Sequence, residues 1–201
     1  MCGRYYIDEG VIKHITENFK YEEDVAHFPS KDIHPGDKAP VIMSVDGELK
    51  ACIQRWGIVG NCSNGIIFNA RSENVLNKAI FKKAIKNRRA VVPAKCFFEW
   101  SLYKEKSAFF STSENLLYLA GFYDLFDNEA HFEILTTKAN SSVEKVHDRM
   151  PVIISEEEIY AWINNQKLLR SFLYRQQVDL EKQSEVHQME FDFSARIPRF
   201  K

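Results

Sequence analysis

Residues 90–136, AVVPAKCFFEWSLYKEKSAFFSTSENLLYLAGFYDLFDNEAHFEILT, decide the fold class. Five runs in this stretch have strand length and strand composition: Ala90–Val92, Cys96–Trp100, Ala108–Ser111, Leu116–Leu125 and His131–Thr136. They are rich in Val, Phe, Tyr and Ile, the residues that fit a pleated, half-buried surface. Asp127-Asn128 reads as the turn between the last two. Nothing here alternates strand with helix in the βαβ manner. Antiparallel pairing is therefore expected.

The same reading extends in both directions. Upstream, Val41–Val45 and Glu48–Gln54 flank Asp46-Gly47, a strong two-residue hairpin signal. Asp8 can cap a helix through Phe19, with Val11, Ile12, Ile15 and Phe19 at helical spacing. Tyr21–Gly36 holds Pro29 and Pro35 and reads as irregular. A helix starting at Ser72 or Asn74 would carry Leu76, Ile80, Phe81, Ala84 and Ile85 to Asn87. Downstream, Val152–Ile154 is a strand. Ser155 with Glu158 forms a capping box for a helix through Asn164, and a short helix follows over Lys167–Tyr174. Val186–Phe193 is expected to return as a final strand. The sum is an α+β fold, a mainly antiparallel barrel-like sheet with a few flanking helices, in a single domain over residues 1–201.

Composition narrows the function classes. The chain is 45% hydrophobic and 27% charged, as ordinary globular proteins are, with only eight Gly and six Pro for linkers. No apolar run reaches the ~20 residues that span a bilayer, and the N-terminus lacks a secretory leader. A cytoplasmic, nucleoid-associated protein with no membrane partner is expected. Cys2, Cys52, Cys62 and Cys96 form no C-x-x-C pair, so neither a metal site nor another cofactor is expected. Cys52 and Cys96 read as core residues and Cys62 as a loop thiol. Between Lys78 and Lys106, nine basic residues face only Glu99 and Glu105, a net +7 in a chain of net charge −1. Such a stretch is either a solvated helix face or a local polyanion site.

Four places carry chemistry. Cys2, once Met1 is removed, presents an α-amine and a thiol on adjacent carbons. An amine condenses with an aldehyde to an imine, and the neighbouring thiol closes onto the same carbon as a thiazolidine. Otherwise position 2 is merely the start of a strand. Asn69-Ala70-Arg71 follows the apolar run Ile66-Ile67-Phe68. There Asn69 offers donors and an acceptor, and Arg71 a fork suited to phosphate, unless Arg71 pairs with Glu73 at the surface. Glu99 lies within Phe97-Phe98-Glu99-Trp100. It is either partly buried, with a pKa raised towards neutrality, or turned to solvent by the strand alternation. His147, in His147-Asp148-Arg149-Met150-Pro151, titrates in a useful range or forms a surface ion pair.

These stretches in this order resemble the SRAP (SOS response-associated peptidase) family. The resemblance rests on Met1-Cys2-Gly3-Arg4-Tyr5, Pro35-Gly36, Trp56-Gly57, Asn69-Ala70-Arg71, Phe97-Phe98-Glu99-Trp100 and His147-Asp148-Arg149-Met150-Pro151, and spans residues 2–155. It implies that an exposed Cys2 captures the aldehyde of an abasic site in single-stranded DNA, with Asn69, Glu99 and His147 at the other active-site positions. It also implies autoproteolytic removal of Met1. Arg71 and Arg4 would hold flanking phosphates, with Lys78 in place of an arginine expected after the Asn-Ala-Arg motif. A monomer is expected. Three departures stand out. No aromatic follows Trp56-Gly57 in Ile58–Ser63, where the family carries a base-stacking wedge. Asp32-Ile33-His34-Pro35 replaces the pattern Asn-x-Ala-Pro, and the C-terminal segment is reduced to Phe193–Arg199. Two other readings remain: a peptidase or amidase using Cys2 with His147 and Glu99, and a non-catalytic module binding RNA or protein.

Overall fold

The computed structural model describes residues 2–59, 65–113, 116–126 and 129–184. In chain order the elements are β1 (Tyr5–Ile7), α1 (Glu9–Asn18), β2 (Lys20–Tyr21), α2 (Glu23–Ala26), β3 (Lys31–Ile33), β4 (Lys38–Val45), β5 (Glu48–Trp56), β6 (Ile58–Val59), β7 (Ile66–Ile67) and β8 (Asn69–Arg71). They continue with α3 (Ala79–Asn87), β9 (Arg89–Ala94), β10 (Cys96–Trp100), β11 (Lys106–Ser111), β12 (Leu117–Phe126), β13 (Glu129–Lys138), β14 (Arg149–Pro151), β15 (Ile153–Ile154), α4 (Ile159–Asn164), α5 (Leu169–Tyr174) and β16 (Leu180–Ser184).

Five strands in the order β13-β12-β9-β4-β5 form the main sheet, and β5 returns to pair in parallel with β13, His131 beside Arg55 and Phe132 beside Trp56. That pairing closes the barrel. A second sheet, β16-β11-β10-β1-β3, is antiparallel throughout. The expected α+β fold with a mainly antiparallel, barrel-like sheet is the one observed.

Local chemistry accounts for the elements that frame the barrel. At the β4–β5 hairpin, Asp46 and Gly47 both have positive φ, 51° and 83°, the geometry that a two-residue turn needs to match strand twist. Gly121 sits where β12 crosses β13. A Cβ there would stand 2.8 Å from the Glu133 carbonyl oxygen, so only glycine lets the strands approach. Helix α1 starts at Asp8, whose carboxylate accepts from the Val11 N–H at 2.9 Å, and it buries Val11, Ile12 and Ile15. The barrel core centres on Trp56. Its ring meets Tyr5 at 5.1 Å, Phe68 at 5.5 Å and Phe132 at 6.3 Å, and its indole N–H donates to the Phe68 carbonyl at 2.9 Å.

The differences from the sequence reading are local. Residues 72–77 form turns where a helix starting at Ser72 or Asn74 was expected, and α3 begins only at Ala79. The stretch 21–36, read as irregular, contains α2, β3 and the end of β2. The last described strand is β16. The expected strand Val186–Phe193, the Asp127-Asn128 turn, the Cys62 loop and residues 60–63 of the wedge position lie outside the described residues. Cys2, Cys52 and Cys96 are free and buried. Among the described residues no helix is long and apolar enough to cross a membrane.

Candidate active site

Residues 2–4 lead into β1, which is held between β3 and β10. Tyr5 lies opposite Phe97, and the Phe98 N–H donates to the Arg4 carbonyl at 2.9 Å, so the start of the chain runs alongside the end of β10. β8, whose Asn69 reaches Cys2, pairs in parallel with β13, Asn69 beside Ile134. These two neighbours bring two of the sequence-selected residues, Asn69 and Glu99, to Cys2. The Asn69 Nδ2 donates to the Cys2 carbonyl at 2.7 Å, while its Oδ1 is buried without a hydrogen-bond partner among the described residues. Glu99, on β10, is 3% exposed. Both faces of β10 are buried here, Phe98 as well as Glu99, so the carboxyl lies inside, resolving the choice that the sequence left open. Burial, with the Asp148 carboxylate adding to it, pushes its pKa up to about 7.

Cys2 differs most from expectation. The sequence reading has it exposed, yet its exposure is 0%. Burial first, and the charge of Glu99 second, push its thiol far above the ordinary range. The thiol leans toward the Arg4 carbonyl at 3.7 Å. The N-terminal segment is packed against the barrel instead of lying over it, because β1 is an inner strand of its sheet.

His147 closes the turn that ends at Val146. Its Nδ1 accepts from the Arg149 N–H at 3.0 Å and lies 3.1 Å from Asp148 Oδ1. Burial lowers its pKa, with Asp148 acting in the opposite direction. The ring lines a groove of about 530 Å³ shared with Trp100, Tyr103 and Asp148. Trp100, the residue after Glu99 on β10, forms part of that groove.

The cations divide. Arg71 and Lys78 line a cavity of about 420 Å³ together with Asn69, Asn74, Ile80 and Phe81. Arg4 is engaged elsewhere. Its Nε contacts His34 Nε2 at 2.7 Å and Asp32 Oδ2 at 3.4 Å, and its guanidinium stacks over Trp100 at 5.6 Å. Asp32 and His34, noted only as departures from the family pattern, thus have a local task. The surface pair considered between Arg71 and Glu73 does not form. Glu73 instead takes Arg149 in a two-pronged contact, 2.7 and 2.9 Å, and Arg149 also donates to the Thr136 carbonyl at 2.7 Å. That clamp fixes the segment carrying His147 to the turn after Arg71, and it holds the Glu73 carboxyl below its usual range.

Sequence reasoning missed three residues here. Tyr5 is fully buried, has no partner for its hydroxyl among the described residues, and feels the Cys2 thiol. Thr136 is buried on β13, beside Arg71 in the β8 register, with an unpartnered hydroxyl. Arg149 is the clamp. Tyr5 and Arg149 stood inside quoted motifs, but Thr136 gave no signal, since an apolar strand often ends in Thr.

An α+β barrel whose cysteine near the chain start is held against a buried carboxyl and an asparagine defines the class. The chain belongs to the SOS response associated peptidase (SRAP) family, whose sequence pattern it matches over residues 1–191. It is 28% identical over 181 residues to the abasic site processing protein YoqW of Bacillus subtilis, covering 82% of this chain and 80% of that one. The abasic site processing protein YedK of Escherichia coli is 24% identical over 181 residues, with 83% and 81% covered. The abasic site processing protein HMCES of Xenopus tropicalis is 22% identical over 191 residues, with 73% and 57% covered. A crystal structure of a protein from Bacteroides thetaiotaomicron shares the fold, with a TM-score of 0.77 at 20% identity over 92% of this chain and 93% of that one.

Proposed function

We propose that this protein processes abasic sites in DNA by capturing the ring-opened sugar aldehyde covalently on Cys2, after Met1 has been removed. The reading is carried by one observation: Cys2 is buried with Asn69 bonded to its carbonyl and with Glu99, held near pKa 7, close enough to perturb its thiol. The relatives named for abasic site processing support the substrate class.

The chemistry assigns a task to each group. The freed α-amine of Cys2 adds to the aldehyde carbon, and the carbinolamine loses water to give an imine. The thiol then adds to the imine carbon, its proton ends on nitrogen, and a neutral thiazolidine results. Glu99, half ionised near pH 7, takes a proton from the attacking amine and returns one to the departing hydroxyl. His147 serves the sugar: it protonates the ring oxygen as the hemiacetal opens. Asn69 fixes the Cys2 backbone, and so the direction of the amine. Arg71 and Lys78 take the neighbouring phosphates. Removal of Met1 by the same thiol accounts for the peptidase in the family name. A duplex hides the sugar carbon, so a single strand or an extruded nucleotide is the fitting substrate.

The test is a denaturing gel of the protein with a single-stranded oligonucleotide carrying one abasic residue. A heat-stable adduct is expected with wild type, and none with Cys2→Ala. Absence of an adduct from protein whose intact mass shows Met1 gone overturns the proposal.

A further inference from the structure

We infer that the protein carries a second phosphate-binding surface, a basic groove between α3 and α5 that takes the nucleic-acid backbone beyond the abasic residue. This rests on the DNA reading above and extends it to residues outside the site. The groove measures about 510 Å³ and its charged lining is Lys82, Lys86, Lys167 and Arg170, with no acid. None of these four has an ion-pair partner among the described residues, whereas Arg4, Lys20, Lys38, Arg55, Arg88, Arg149 and Arg175 each have one. Unpaired cations gathered across a concave surface repel one another, and that arrangement costs stability unless an anion occupies it.

The groove is built and connected. Lys78, Lys82 and Lys86 fall four residues apart, so Lys82 and Lys86 continue one side of α3 over about 12 Å of helix rise from Lys78. Arg89 is buried and caps the end of α3 by donating to the Ile85 and Lys86 carbonyls at 3.2 and 2.7 Å, and it also donates to the Trp162 carbonyl of α4. Lys167 and Arg170 follow directly on α4, so the two cationic walls are set on tied elements. The turn 74–78 is a shared wall: Leu76 and Asn77 line the basic groove, and Asn74, Val75 and Lys78 line the cavity that holds Asn69 and Arg71. A strand leaving the Cys2 site past Arg71 and Lys78 therefore meets Lys82, Lys86, Lys167 and Arg170 next.

The experiment measures binding by fluorescence anisotropy to single-stranded oligonucleotides carrying a tetrahydrofuran residue, which has no aldehyde and forms no adduct. One oligonucleotide ends just beyond that residue on both sides; the other extends well past it. Wild type is expected to bind the longer one more tightly and with a steeper salt dependence. Lys82→Glu with Lys86→Glu, and separately Lys167→Glu with Arg170→Glu, are expected to flatten the slope on the longer oligonucleotide by ~0.7 per lost phosphate contact, about 1.4 for each pair, and to leave the shorter one unchanged. Lys13→Glu with Lys182→Glu makes the same change in net charge away from the groove and is expected to leave both unchanged. Equal slopes for wild type and both groove variants, or equal loss on both oligonucleotides, overturn the inference. Adduct formation with an aldehyde-bearing short oligonucleotide is measured in parallel. If the variants still form it while the slopes do not move, the groove alone fails; if no protein forms it, the covalent reading fails.

Discussion

Replacing Glu99 with Gln is expected to stabilise the fold as pH rises while it slows adduct formation. The carboxyl is 3% exposed, and its pKa moves from an ordinary 4.5 to about 7 on folding. Between those values the folded state keeps a proton that the unfolded state has released, so stability falls as pH rises through this window and levels off above about 7. At ~1.36 kcal/mol per pH unit the full loss is about 3 kcal/mol. Gln keeps the shape and cannot ionise, so the variant escapes this term. Urea unfolding of both proteins at matched pH values isolates it, because the other titrating groups cancel in the difference. The stability of Glu99→Gln relative to wild type should climb by about 3 kcal/mol from roughly pH 5 to roughly pH 8. Single-turnover adduct formation on the same samples should slow by about 10²–10⁴, the usual loss when a general acid–base group is removed. A flat stability difference across that range would refute the burial argument. An unchanged rate would leave Glu99 as a structural residue.

Cys2→Ser is expected to form an imine that only borohydride makes permanent, because an oxazolidine reopens readily; trapping-independent adduct on a denaturing gel would contradict thiazolidine chemistry. Arg149→Ala removes both contacts to Glu73, and a loss of about 1–3 kcal/mol is expected by urea unfolding, together with slower adduct formation as the His147 turn comes loose. Gly57 has φ 89°, and a Cβ there would stand 2.5 Å from Ile66 Cγ2. Gly57→Ala should therefore cost about 2–4 kcal/mol, read as a lower urea midpoint at unchanged slope; a loss below ~1 kcal/mol would show that β7 yields easily.

The fold was legible because its signals are local. Asp46-Gly47 dictates its hairpin, Asp8 its helix, and the runs from Ala90 to Thr136 supply two neighbour pairs, β10 with β11 and β12 with β13, while β9 skips two strands to meet β12. Barrel closure was not legible. It depends on a parallel contact between His131–Phe132 and Arg55–Trp56, far apart in sequence, and the Trp56-Gly57 motif says nothing about which strand it meets. The site divides in the same way. Cys2, Asn69, Glu99 and His147 stood out as polar residues in apolar or motif-bearing stretches, and three of them meet. The side chain that Glu73 would choose was invisible, since Arg71 is nearer in sequence but Arg149 is nearer in space. The same limit hid the partners of Arg4, and it hid the groove, because Lys82 and Lys167 are brought together only by the packing of their helices.

Burial of Cys2, taken alone, argues against a reactive thiol, since the thiolate is the nucleophile and burial disfavours it. The proposed reaction changes the sign of that argument. The thiol meets a carbon already activated as an imine, next to a carboxyl whose pKa near 7 suits it to accept the sulfur proton as the bond forms, so a free thiolate need not accumulate. Once closed, the thiazolidine is neutral. Reopening must pass through a charged thiolate or a charged imine in the same dry environment, and every such charge bears the desolvation that raises the Cys2 and Glu99 pKa values. On the proposed reaction, the burial that makes a poor free nucleophile therefore slows reopening of the adduct.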